Sequence, residues 1–214
     1  MLTLGIDTAE PIGGVALFDD GVLAEERLME APLRHAESLI PLVEGILEDS
    51  SASRGDIERV SVNRGPGSFT GLRIGLATAK GLCQALGATL VGIDGTVAYR
   101  SRLPEARRVC VVLQSRRDLF YARWFVGLRP KEPIHLMHEE ELVARLRGED
   151  RELTLVGSGA GRVFEQVVDH AVLRLAPEEL MRPSPLVVAR LGASAGAGDR
   201  LYEVEPLYVE PVLV

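Results

Sequence analysis

The chain has 214 residues, 46% hydrophobic and 26% charged, the balance of a folded globular protein rather than of a disordered or fibrous one. Thirty-one acidic against 24 basic side chains leave a formal charge of −7, which excludes broad nucleic-acid or membrane binding through bulk charge while leaving room for a local basic patch. No apolar run reaches the roughly 18 residues of a membrane span, and the opening MLTLGIDTAE has no basic stretch ahead of an apolar one, so neither an anchor nor a secretory leader is expected and a cytoplasmic location is.

LTLGID, GGVALFDD and VLAEERLM read as three short strands punctuated by PIGG and DDG, an antiparallel meander. RHAESLIPLVEGILEDS has a helical stripe at Ala36, Ile40, Val43 and Leu47, with a second beside it at Leu39, Leu42 and Ile46. Pro41 predicts a kink or a late start. Two stripes on one short helix fit either of two arrangements: a helix covered on both sides by its own chain, or one with a face left for a partner.

RVSVNRGPG reads as a strand running into a turn. TGLRIGLATAKGLCQALG reads as a helix with Thr70 as N-cap and Gly87 just past its end. Its seam is Leu72, Leu76, Ala79, Cys83 and Leu86; Gly71, Gly75 and Ala79 form a small-residue edge where another backbone can come close. TLVGID is a further strand. Residues 1–98 therefore read as a βββαβαβ unit whose last strands are parallel and joined by a crossover helix.

Residues 99–214 are read as a smaller, more irregular lobe. VCVVLQS and LFYARWFVG form a hairpin, MHEEELVARLRG an amphipathic helix, LTLVGSGAG a strand with a Gly-rich loop, RVFEQVVDH a short helix and PSPLVVARLGASAGAG a last helix before an extended, Pro-punctuated tail. Cys83 and Cys110 lie inside apolar runs without metal-type spacing and read as reduced, buried hydrophobes.

NRGPGSFTGLR tests poorly as a phosphate loop. A Walker loop needs a Lys that is absent here, and the dinucleotide fingerprint needs a third Gly where Thr70 stands. Glycine and proline shaping a tight strand-to-helix turn is the plainer account. Asp7 and Thr8, ending the first strand, and Gly157, Ser158 and Gly159, after a later one, are the places where a nucleotide pocket would be sought; a turn or cap role fits the first pair equally, and a plain loop is the better account of the other three. His35, His135, His138 and His170 have no metal spacing. Arg100, Arg102, Arg107, Arg108, Arg116, Arg117 and Arg123 make a locally basic segment, diluted by Glu105 and Asp118, that fits a solvated rim or an RNA contact.

LGIDTAEPIGGVALFDDG, RHAESLIPLVEGIL, GPGSFTGLRIGLATAKGL and the closing EPLYVEP together resemble the TsaB (YeaZ) family, strongly over the first hundred residues and loosely in the tail. The resemblance implies an α/β protein of actin-like ATPase (ASKHA) fold, two lobes each built on a mixed sheet with helices. It implies a non-catalytic paralogue and partner of TsaD, joined by TsaE, in forming threonylcarbamoyladenosine at position 37 of tRNAs reading ANN codons. On that basis no cofactor, metal or catalytic residue is expected, Asp7, Thr8 and Gly157–Gly159 become a vestigial nucleotide pocket, and tRNA is touched only through the complex, if at all. The helices 33–49 and 70–87 would pair with the same helices of another chain, a second copy when alone or TsaD, through Ala36, Leu39, Ile40, Val43, Leu47, Gly71, Leu72, Gly75, Leu76, Ala79, Cys83 and Leu86. The catalytic paralogue's metal-binding His-x-x-x-His falls here at Asp94 and Ala98, and Ala cannot ligate. The rivals are a metal-dependent, glycoprotease-type peptidase and an ATP-binding small-molecule kinase of the same fold. Two departures from the family pattern are Gln114-Ser115-Arg116 in the second-lobe hairpin and Glu210 after the tail Tyr208.

Overall fold

A computed structural model describes residues 1–19, 23–29 and 35–209, without the side chains of His35 and Ala36; Glu210 lies outside the described residues. β1 (Leu2–Asp7), β2 (Gly14–Asp19) and β3 (Leu23–Leu28) form the antiparallel meander expected. α1 (His35–Asp49) runs through Pro41, which sits on the exposed face, where the Glu37 carbonyl left without its helical donor is open to solvent rather than buried. β4 (Ile57–Asn63), α2 (Phe69–Leu86) and β5 (Thr89–Ile93) complete a five-stranded sheet in the order β3-β2-β1-β4-β5, with β1, β4 and β5 mutually parallel.

Two local details of α2 differ in kind. Gly87 ends it in the left-handed conformation, φ 70°, as glycine past a helix end does. The N-cap is Ser68 rather than Thr70: the Ser68 hydroxyl accepts from Gly71 N, and the chain turns helical two residues earlier than periodicity alone indicates. A short helix, α3 (Gly95–Ser101), follows β5 and was not legible as one. Its cap is Asp94, whose Oδ1 accepts from Thr96 N at 2.8 Å and from the Thr96 hydroxyl.

The second sheet holds the expected hairpin of β6 (Arg108–Arg116) and β7 (Leu119–Val126), with β8 (Arg129–Pro130) and β9 (His135–His138) both pairing with β7. After α4 (Glu139–Arg147), β10 (Leu153–Val156) and β11 (Leu173–Leu175) add parallel strands on the far side of β6, with α5 (Ala160–Glu165) between them. Trp124, Phe120, Leu142, Leu146 and Leu155 form its core. His135 and His138 lie on β9; His138 is exposed, while His135 meets the Trp124 ring edge-on and pairs with Glu132.

Two compact units result: Met1–Ala98 with Ser184–Leu207, and Tyr99–Pro183 with the described residues after Leu207. The expected second lobe of 99–214 therefore loses its last helix, α6 (Pro185–Ala193), which packs on the first sheet. The reason is a floor of small side chains. Ala16, Gly5 and Ser61 are register partners across β2, β1 and β4. A Cβ on Gly5 would overlap the Pro185 carbonyl, and one on Gly192 would overlap the Ser61 hydroxyl, so helix and sheet approach as closely as glycine allows. β1 is thereby buried on both faces, α1 and α2 covering Leu2, Leu4 and Ile6 and α6 covering the other side.

Opposite charges hold the ends of α6. At its N-terminus Glu26 of β3 accepts from the Ser184 hydroxyl at 2.7 Å and from Leu186 N at 2.9 Å. At its C-terminus the buried Arg59 of β4 donates to the carbonyls of Gly192, Ala195 and Gly196 at 2.6, 2.8 and 3.1 Å. Both signs complement the helix dipole. Replacing Arg59 by Met keeps the stem and removes the donors. Since hydrogen bonds from a charged group contribute about 1.5–3 kcal/mol, Arg59→Met should cost about 2–3 kcal/mol in a urea titration followed by circular dichroism, and an unmoved midpoint would show that the clamp does not matter.

Candidate functional site

The Gly-rich stretch joins β4 to α2, and Gly67, Gly71 and Gly75 face the turn that follows β1, while Gly65 faces Leu72 and the Leu207 carbonyl. A Cβ on Gly67 would overlap the Ala9 carbonyl, one on Gly71 the Thr8 carbonyl, and one on Gly75 the Thr8 hydroxyl. Gly65, at φ 112°, is in a conformation that side chains disfavour. Hydrogen bonds sew the two backbones together: Ser68 N donates to the Ala9 carbonyl at 2.7 Å, and the Thr8 hydroxyl to the Gly71 carbonyl at 2.8 Å. The loop is a clasp on the β1–β2 turn.

Asp7 lies inside this clasp, 2% exposed. The Asn63 side-chain amide donates to both of its oxygens at 3.0 Å, and Ala9 N donates to Oδ1 at 3.1 Å. The other end of Asn63 accepts from Gly65 N, so one side chain ties the carboxylate to the loop. Burial pushes the Asp7 pKa up from 3.8 to about 6 against the pull of these donors, with the negative field of Glu26 adding to the rise. Such a carboxyl, with each oxygen already an acceptor, is built as a brace. Asn63 was missed from sequence; its place at the last residue of β4, directly before the loop, was the available signal.

The interface residues read from the helical stripes fall mostly on the inside. Leu39, Val43, Leu47, Leu76, Ala79 and Cys83 belong to the core between the first sheet and its two helices. Leu72 is equally buried, Gly71 and Gly75 are closed by Thr8, and Leu86 is half-buried against the same core. Ile40 alone of the set is exposed, at 42%; the Ala36 side chain lies outside the described residues. The seam is regular because it packs on β4, β5 and α1, and the close backbone approach predicted for Gly75 is made within the chain, so bulk placed there acts on the fold first.

The face that α2 leaves uncovered is the opposite one: Phe69 at 54% exposure, then Thr70, Arg73, Ala77, Gly81, Gln84 and Ala85. Arg73 lies over the Phe69 ring at 3.8 Å. Among the described residues, nothing beyond the helix's own neighbouring backbone comes within 4 Å of a Cβ built on Gly81. A glycine inside an exposed helix costs about 1 kcal/mol relative to alanine, and no contact among the described residues requires it.

The remaining candidates are occupied. Asp94 caps α3, and Ala98 is buried with Val91, Ile93 and Val188. Among the described residues no three His, Cys, Asp or Glu side chains gather as a metal would need, and no helix is long and apolar enough to cross a membrane. Asp7 and Thr8 belong to one unit, Gly157, Ser158 and Gly159 to the other. In the latter, Gly157 stands at φ 111° over the Val112 carbonyl, the Ser158 hydroxyl accepts from Gln114 N at 3.2 Å, and a Cβ on Gly159 would strike the Phe120 ring. These three fasten the β10–α5 turn to β6 and β7.

Residues 29–125 match the family of TsaD, tRNA N6-adenosine threonylcarbamoyltransferase. The chain is 36% identical over 152 residues to the tRNA threonylcarbamoyladenosine biosynthesis protein TsaB of Escherichia coli, an alignment covering 70% of this chain and 64% of that one. It is 25% identical to the TsaB of Bacillus subtilis over 98% and 99% of the two lengths. The chain belongs to the TsaB family. YeaZ from Pseudomonas aeruginosa superposes on it with a TM-score of 0.79 at 24% identity, covering 97% of this chain and 99% of that one. The fold is the actin-like ATPase fold that the family resemblance implied, two mixed sheets with helices.

The brace has a pH signature. The folded chain holds the Asp7 proton up to about pH 6 and the unfolded chain only to about 3.8. Its contribution to stability is therefore complete below about pH 4 and lost as pH rises through 6, a fall of about 3 kcal/mol. Asp7→Asn should flatten that section of the stability curve when urea midpoints are compared from pH 4 to 7.5; parallel curves for the two proteins would contradict the assignment.

Proposed function

We propose that the chain is a non-catalytic scaffold subunit that pairs with TsaD, with TsaE joining the assembly, and supports formation of threonylcarbamoyladenosine at position 37 of tRNAs reading ANN codons; alone, it pairs with a second copy. The family relatives' role in tRNA threonylcarbamoyladenosine biosynthesis motivates the pathway. The observation that carries the scaffold role is the uncovered face of α2, with Gly81 open at its centre. Ala77, Gly81 and Ala85 repeat every four residues, so a partner helix can approach the backbone closely along that line.

Chemistry is assigned to the partner for a reason that stands on side chains. A metal-dependent reaction needs ligands with free lone pairs. Asp7 is surrounded by donors, Asp94 is spent as a helix cap, and the next position a helical turn on is a buried methyl. The interface proposed is the outward face, not the inward seam. Among the described side chains, Ile40 of α1 is the member of the sequence-derived set that remains available to it.

Gly81→Leu separates docking from folding. Leucine in an exposed helix interior raises helix stability by up to about 1 kcal/mol, so the isolated chain should melt no lower than wild type. Its pairing with a second copy and with TsaD, followed by light scattering and by co-elution, should weaken at least about tenfold, or about 1.4 kcal/mol. Wild-type association by the variant would rule out this face. Reconstituted tRNA modification that proceeds at full rate with the chain omitted would rule out the function.

A further inference from the structure

The arginines of the second unit divide into those with work inside the fold and those without. Arg100 is fully buried and donates to the carbonyls of Gly127 and Ala106, each at 2.7 Å, and to that of Leu103. Arg102 donates to the Glu179 and Arg182 carbonyls, Arg123 to that of Glu132, and Arg108 pairs with Glu149. At one end of the sheet three cations have no side-chain partner among the described residues: Arg107, Arg129 and Lys131.

These three surround a single turn. Gly127 N donates to the Arg107 carbonyl at 2.8 Å, Arg129 is the register partner of Val126, and Lys131 N donates to the Trp124 carbonyl. Arg100 pins the turn through Gly127, so the cations stand on a fixed support. Val126 and Leu128 beside them are 47% and 63% exposed. Arg107, Arg108, Val126 and Lys131 line a cleft of about 640 Å³. Three carboxylates also line it, but Asp150 has Arg151 at 3.9 Å and Glu152 has Arg174 at 3.9 Å, leaving Glu105 unmatched. In the cleft Arg107 and Lys131 stand unmatched against Glu105, and Arg129 adds a third positive charge beside the same turn, on a chain of net charge −7.

We infer that this end of the second unit is a docking surface for the phosphate backbone of RNA, with Arg107, Arg129 and Lys131 as its contacts. The choice of RNA among polyanions rests on the tRNA-pathway reading; the charge imbalance does not. Ion pairing to phosphates releases counterions, so three contacts should give a slope of about −2 to −3 in log affinity against log salt.

The test uses the full chain without TsaD, so it can fail while the scaffold reading survives. Fluorescein-labelled transcribed tRNA is titrated by anisotropy between 50 and 200 mM salt. The variant Arg107→Glu/Arg129→Glu/Lys131→Glu should lose at least tenfold in affinity at 50 mM and most of the salt slope, and Lys131→Gln alone two- to threefold. The control Arg116→Glu/Arg117→Glu, at the opposite turn of the β6–β7 hairpin, should stay within about twofold. The single tryptophan, Trp124, lies in this unit's core, and unchanged emission reports that each variant is folded. No wild-type binding, equal losses in variant and control, or competition by polyglutamate as strong as by RNA at equal charge would each overturn the inference, the last by assigning the surface to an acidic protein.

Discussion

The first unit is organised by how closely two backbones meet at Thr8 and Ala9. Three glycines of one segment, Gly67, Gly71 and Gly75, press their α-carbons onto that turn, where any Cβ would collide. Contact of this kind has no slack, and it fixes the start and the axis of α2 relative to β1. Once α2 is set there, its Leu72–Cys83 seam points at the sheet and its other side points away. The uncovered face, with Gly81 in its middle, is thus a consequence of the clasp, and a partner helix would meet a surface whose position was settled inside the chain.

The same contact decides what Asp7 can be. A carboxylate at the end of the first strand is a natural ligand for a metal-bound phosphate if its oxygens face solvent. Here the clasp closes over it, desolvation raises its pKa to about 6, and Asn63 and Ala9 supply the donors that make the charged form tolerable. At neutral pH the group is an ionised brace carried at some cost in stability, and its hydrogen bonds give the loop one geometry. Loop rigidity and the raised pKa are two effects of one burial.

Much of this architecture was legible from residues alone, and the parts that were not share a cause. The meander, the βαβ unit, the β6–β7 hairpin and Gly87 at the end of α2 follow from alternation, turn chemistry and a left-handed cap. Periodicity identifies which residues of a helix share a face, but not whether sheet or another chain covers it, so the seam of α2 was readable and its orientation was not. α6 looked like the last helix of a second lobe because nothing local links it to Gly5, Ala16 and Ser61, over a hundred residues away. Its two clamps, Glu26 and Arg59, are ordinary strand charges until the fold brings them to opposite helix ends. Asn63 and Ser68 act through side-chain hydrogen bonds of the kind that leave no periodic trace.

Charge shows the same gap between composition and placement. A net charge of −7 argues against polyanion binding only if charges are spread evenly, and a fold spends them unevenly. The seven arginines of the basic segment looked equivalent in sequence. Four of them satisfy carbonyls or a carboxylate inside the second unit, work that lysine's flexible point charge does less well than a planar guanidinium. What remains on the surface is set by that subtraction, and the remainder at Arg107, joined by Arg129 and Lys131 from the next strand, is positive. An acidic protein can therefore present a cationic end without any excess of basic residues, because its structural ion pairs and helix caps decide which charges stay unmatched.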